Sequence, residues 1–140
     1  SDVYKRQAFT VEELEEAMQK VMDQYAGGIG THYQFNEKQL AMAEEKIKKL
    51  QILAKGLAAA DMHELMFIYE LKERLTVCLT VIAHLRARKE TRWHSFAENL
   101  DYPEKSDAWL CYVNSKKNGD QITMIRRDLV KGGETYEHRD

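Results

Sequence analysis

Asp61-Met-His-Glu-Leu-Met-Phe-Ile-Tyr-Glu-Leu-Lys-Glu-Arg-Leu-Thr-Val-Cys-Leu-Thr-Val-Ile-Ala-His-Leu-Arg-Ala-Arg88 runs without a single glycine or proline. Asp61 can cap a first turn, and Glu64 stands three residues on, the spacing of a capping box. Leu65, Ile68, Leu71, Leu75, Cys78, Leu79, Ile82 and Leu85 recur every three or four residues, which predicts one broad apolar face on a helix. At 1.5 Å per residue the helix would be about 42 Å long. From Leu75 to Leu85 it is apolar on more than one side, so it should pack against at least two neighbours. Arg86, Arg88, Lys89 and Arg92 close the stretch, where cations suit the helix dipole.

Toward the amino terminus the same start signal occurs twice more. In Phe9-Thr10-Val-Glu-Glu13-Leu14, Thr10 caps, Glu13 completes the box, and Phe9 can staple onto Leu14. Val11, Leu14, Met18, Val21, Met22 and Tyr25 form one stripe, and the helix should stop at Gly27-Gly28. Phe35-Asn36-Glu-Lys-Gln39-Leu40 repeats the pattern, and Leu40, Ala43, Ile47, Leu50, Ala54 and Leu57 form a heptad-like seam. Gly56 falls inside this seam and would mark a close helix contact. Ala59-Ala60-Asp61 is a short link, so the second and third helices should be antiparallel neighbours. The expected fold is mainly α: an up-down-up three-helix bundle over residues 8–92.

After Arg88 the character changes. Residues 89–104 are polar and aromatic without helical period. Trp109-Leu-Cys-Tyr-Val-Asn114 predicts a strand, Asn118-Gly119 a type I′ turn, and Gln121-Ile-Thr-Met-Ile125 the return strand. An isolated hairpin is barely stable in water, so this coil-plus-hairpin unit (residues 93–130) should pack on the bundle or on a surface outside the chain. Residues 1–7 share no pattern with the helical region and are expected to be a leader or artefact. Residues 131–140 are expected to form a mobile tail.

Composition narrows the functional classes. The chain has 140 residues and a net charge of −2, with 31% charged residues of mixed sign, which gives no push toward nucleic acid or an anionic membrane. No apolar run is long enough to span a bilayer. Two cysteines, Cys78 and Cys111, fit small core residues in a reducing, cytoplasmic setting better than a disulfide framework or a nucleophile. His63-Glu64 begins like a zinc-protease helix, but Phe67 stands where the second histidine belongs, and no ligand spacing appears among the other histidines. The glycine-rich Gly27–Tyr33 loop lacks both common phosphate-binding spacings, so a helix end and turn is the better reading. No catalytic, cofactor-binding or metal residue is assigned. The non-repetitive stretch holding Arg92, Trp93, His94, Asp101, Tyr102, Pro103 and Glu104 has the composition of a contact surface or site rim.

Asp23-Gln-Tyr-Ala-Gly-Gly-Ile29, Arg88-Lys-Glu-Thr-Arg-Trp93, Asp101-Tyr-Pro-Glu104 and Cys111-Tyr-Val-Asn-Ser115, in that order, resemble the C-terminal region of adenylylsulfate reductase alpha subunits. These belong to the fumarate reductase and succinate dehydrogenase flavoprotein superfamily. Superfamily members carry Glu-Ser-Arg-Gly and then Asp-Tyr-Pro, where this chain has Glu90-Thr-Arg-Trp93 and Asp101-Tyr-Pro103. The resemblance runs from about Ala8 to Val130 and implies a spectrin-repeat-like three-helix bundle. In that family FAD sits in an N-terminal dinucleotide-binding domain, and the catalytic residues precede the bundle, so no residue here inherits a catalytic or FAD-binding role. The resemblance also implies two partners: the flavin-binding domain of a parent chain and an iron–sulfur beta subunit. The segment from Arg92 to Glu104 would then be a docking or rim element. A free-standing three-helix interaction module is the alternative expectation.

Overall fold

The computed structural model describes residues 9–91, 97–106, 111–119 and 121–128. The expected leader, the expected tail, and the positions Arg92, Trp93 and His94 lie outside the described residues. Three helices form where the periodicity places them: α1 (Val11–Tyr25), α2 (Glu37–Lys55) and α3 (Met62–Ala87). Each begins at the expected cap. Thr10 accepts the Glu13 amide and Glu13 returns the bond to the Thr10 amide, closing the capping box. Asn36 accepts from the Gln39 amide at 2.8 Å, and Asp61 from the Glu64 amide at 2.8 Å. The third box is shifted, since Glu64 takes the amide of Ala60, one residue before the cap.

Ion pairs give the helix directions. Arg86 at the end of α3 meets Glu37 at the start of α2, and its Nη1 lies 3.2 Å from Glu44. The start of α1 (Phe9–Val11) shares a shallow pocket with Leu57 after α2 and Ile68 near the start of α3. Both neighbouring pairs are therefore antiparallel, and the bundle runs up, down and up. Leu14 and Met18 of α1, Leu40, Ala43, Ile47, Leu50 and Ala54 of α2, and Leu71, Leu75, Leu79 and Ile82 of α3 make one buried core. The three-and-four spacing that forms each stripe is what lets three rods share it.

Two helical expectations need correction. Leu65 is half exposed, at 50%, rather than on the core face. Matching α2 and α3 residue for residue from the Glu37–Arg86 pair puts Lys55 opposite about Ile68, so the first turns of α3 overrun the end of α2. Gly56 is not inside a helix: it caps α2 by donating to the Leu53 and Ala54 carbonyls, and a Cβ there would meet only the Leu53 carbonyl, at 3.5 Å. No tight helix contact explains it.

The segment read as coil contains a short strand. β1 (Gln34–Phe35) and β2 (Glu98–Asn99) pair in parallel, in register Gln34 with Glu98 and Phe35 with Asn99. The hairpin consists of β3 (Cys111–Asn118) and β4 (Gln121–Asp128), both longer than the period-two pattern suggested. The expected first strand residues Trp109 and Leu110 lie outside the described residues. Asn118 pairs with Gln121, so the turn begins at Gly119 and not at Asn118. Gly119 has φ +61°, a value that favours glycine, and this fixes the one-residue shift. Both strands touch α3, and Ile122 packs against the bundle core.

Candidate functional site

At the end of the bundle where α1 stops, α2 starts and α3 stops, parts of three of the four family-like stretches, those around Asp23, Glu90 and Asp101, converge on one polar knot. Its first component is the glycine loop. Gly30 donates its amide to Asp23 Oδ1 at 2.8 Å, folding the loop back onto the last turns of α1. A Cβ on Gly28 would lie 2.5 Å from the Asp23 Cα, so only glycine fits that approach. The Asp23 carboxylate occupies the loop amide that an anion would need, which supports the turn reading over phosphate binding. His32 (φ 54°) and Tyr33 (φ 63°) then take left-handed backbone, an arrangement that stores strain in non-glycine residues. That twist delivers β1, and the carbonyls of Tyr33, just before the strand, and of Phe35, within it, accept the amides of Glu98 (2.9 Å) and Leu100 (2.8 Å).

Thr91 is the hub. Its side chain is almost fully buried, its Oγ1 accepts the Asn99 amide at 2.9 Å, and it lies 2.8 Å from the Tyr102 carbonyl and 3.1 Å from the Asn99 carbonyl. With one hydroxyl proton to donate, the shorter Tyr102 bond is the stronger partner. The Thr91 amide donates to the Glu104 carbonyl at 3.1 Å. Asn99, also buried, accepts the amides of Asp101 and Tyr102 with Oδ1 and reaches the Arg88 carbonyl with Nδ2. Glu90 is 4% exposed, and its carboxylate takes Arg88 Nη1 at 2.9 Å and the Ser106 amide at 3.1 Å. A buried carboxylate held by a guanidinium and an amide is a satisfied ion, fixed in place by its partners.

The residues expected to form a rim divide between backbone and surface. Asp101 Oδ2 accepts the Glu37 amide at 2.6 Å, stitching the segment to the start of α2 and placing a negative charge at that helix end. Tyr102 and Glu104 enter the knot through their backbones, while the side chains of Tyr102, Pro103 and Glu104 stay at the surface. Beside the knot a cavity of about 460 Å³ is lined by Phe35, Val81, His84, Leu85 and Arg88, among others. The arrangement holds backbone in position; among the described residues no group of three or more His, Cys, Asp or Glu side chains is disposed to hold a metal. Cys78 is half-buried, and burial pushes its thiol pKa up, away from a nucleophile's range. No described helix is long and apolar enough to cross a membrane.

Sequence reasoning missed Thr91, Asn99 and the β1–β2 pairing. A two-residue strand leaves no periodic signal, and Asn99 sits in a polar run with nothing to mark it as buried. Thr91 did leave a trace: it is the hydroxyl residue in Glu90-Thr-Arg-Trp93, where the superfamily pattern has serine.

The model of the family described as fumarate reductase flavoprotein C-term matches residues 15–135. The adenylylsulfate reductase subunit alpha of Megalodesulfovibrio gigas is 34% identical over 98 residues, which are 69% of this chain and 15% of that one. The solved adenylylsulfate reductase of Archaeoglobus fulgidus superposes with a TM-score of 0.86 at 36% identity, covering 94% of this chain and 21% of its counterpart. A solved adenosine-5-phosphosulfate reductase in complex with sulfite gives a TM-score of 0.87 at 36% identity, over 98% and 22%. The chain thus spans about a fifth of the solved relatives and less of the curated one.

Proposed function

This chain belongs to the fumarate reductase flavoprotein C-terminal family, and from that membership we propose that it serves as the C-terminal helical domain of an FAD-dependent oxidoreductase alpha subunit of the adenylylsulfate reductase kind. The observation that carries the reading is the asymmetry of coverage: nearly all of this chain, but only 21% of the solved reductase, takes part in the match. FAD and the catalytic residues belong to the other four-fifths, and the bundle alone is inert. It packs on the flavin domain, lies near an iron–sulfur beta subunit, and works in the cytoplasm. The segment carrying Arg92, Trp93, His94, Asp101, Tyr102, Pro103 and Glu104 is the docking or rim element. The knot supports that role for the described part of the segment, because Thr91 and Asn99 bond the Tyr102 backbone while Tyr102, Pro103 and Glu104 keep their side chains outward.

An exposed apolar strip on α3 also supports the packing. Met62 (70% exposed), Leu65, Met66 and Tyr69 (64%) follow one another at helical spacing on the overrunning end of α3. A strip of this kind is what an intrachain domain interface covers. Sequencing the gene upstream of Phe9 tests the proposal. It should encode a dinucleotide-binding domain with a glycine-rich phosphate loop. An open reading frame that starts near Ala8 would overturn the proposal in favour of a free-standing interaction module.

A further inference from the structure

Far from the knot, α2, α3 and the adjoining ends of β3 and β4 enclose a groove of about 560 Å³ whose rim is cationic. Lys48 and Lys55 stand on α2, Lys72 on α3 and Lys117 on β3, and no Asp or Glu is among the described lining residues. This happens in a chain with more acidic than basic residues, so composition alone does not produce it. Lys48 has a partner, Glu44 at 3.6 Å, whereas Lys55, Lys72 and Lys117 enter no ion pair among the described residues. All four lysines are exposed. The floor is apolar: Leu75 is completely buried beneath it, and Ile52 on the wall is 66% exposed, an apolar side chain set among the cations.

We propose that this groove docks an acidic segment of a separate protein, with an apolar side chain seated on Ile52 and carboxylates paired to Lys55, Lys72 and Lys117. The chemistry favours a polypeptide over a bare phosphate. Lysine ammoniums on flexible stems are point charges without the fixed fork or amide cradle that orients a phosphate, and a phosphate would leave Ile52 uncovered. A segment that alternates anchor and acid uses both features at once, in the manner of an amphipathic helix laid in a groove. A charged rim around a small apolar centre also suits a partner that exchanges, since it steers encounter more than it adds affinity. This site is independent of the knot and of the α3 strip, and it stands whether or not the chain is part of a flavoprotein subunit.

The test uses the full chain and a fluorescein-labelled helical peptide with a leucine pair flanked by glutamates, followed by fluorescence anisotropy. Saturable binding is expected, weakening as salt rises. The double variant Lys72→Glu/Lys117→Glu should weaken it roughly tenfold or more, as reversing two contacts predicts. Lys72→Arg/Lys117→Arg should retain binding, and Ile52→Ser should lower it with the fold intact by circular dichroism. Four results would each overturn the proposal: no saturable binding, indifference to the charge reversal, equal binding of a peptide with serines in place of the leucines, or full displacement by pyrophosphate.

Discussion

Thr91 carries three hydrogen-bond relations on one buried oxygen, so its replacement separates shape from polarity. Thr91→Val keeps the volume and strands the Asn99 amide and the Tyr102 carbonyl; it should cost about 2–3 kcal/mol by urea denaturation. Thr91→Ser keeps the hydroxyl and should stay within about 1 kcal/mol of the parent. Two glycines make a second contrast. Gly28→Ala forces a methyl group onto the Asp23 backbone and should destabilise by about 2 kcal/mol, whereas Gly56→Ala, in ordinary right-handed backbone where the methyl makes only an ordinary contact with the Leu53 carbonyl, should be neutral or stabilising by up to about 1 kcal/mol. Cys78 gives a pH signature. Its thiol pKa is raised by burial, so the folded state keeps the proton longer than the unfolded state does. The associated stability is complete below the ordinary thiol pKa of about 8.5 and declines as pH rises through it toward the folded value. Cys78→Ala should therefore lose less stability than the parent between neutral and alkaline pH, measured as the shift of the urea midpoint.

Among the elements, the helices were legible in the sequence because capping and period are local chemistry. Thr10, Asn36 and Asp61 each sit at a helix start, and Leu40, Ala43, Ile47, Leu50 and Ala54 of the α2 stripe are buried, while Leu57, its last expected member, lies past the helix end and is only partly buried. What periodicity cannot report is how far one rod overruns another. That is why Leu65, in phase with the core of α3, lies outside it. Leu71→Ala should accordingly cost about 2–5 kcal/mol, while Leu65→Ser should shift the denaturation midpoint of this chain hardly at all. The hairpin was legible as to type, and its turn moved by one residue because Gly119 rather than Asn118 takes the positive φ. β1 and β2 were not legible: each is two residues long, and they pair across more than sixty residues of chain, a tertiary fact with no local signature.

For the molecule as a whole, the bundle is a scaffold whose described polar interior is spent on fixing backbone. Asp23 holds the glycine loop, Thr91 and Asn99 hold the segment after α3, and Asp101 ties that segment to α2. Motifs that are scattered in sequence meet at one end of the fold, and a resemblance in order and spacing was legible where their contacts were not. The candidate site was legible only as a segment, because its hub is a threonine whose burial depends on three elements arriving together. The central claim is that the flavin is bound by polypeptide other than this domain. Calorimetric titration of FAD into the purified chain tests it most directly. No saturable heat and an unperturbed flavin spectrum are predicted, and a stoichiometric complex with a shifted flavin spectrum would contradict the account.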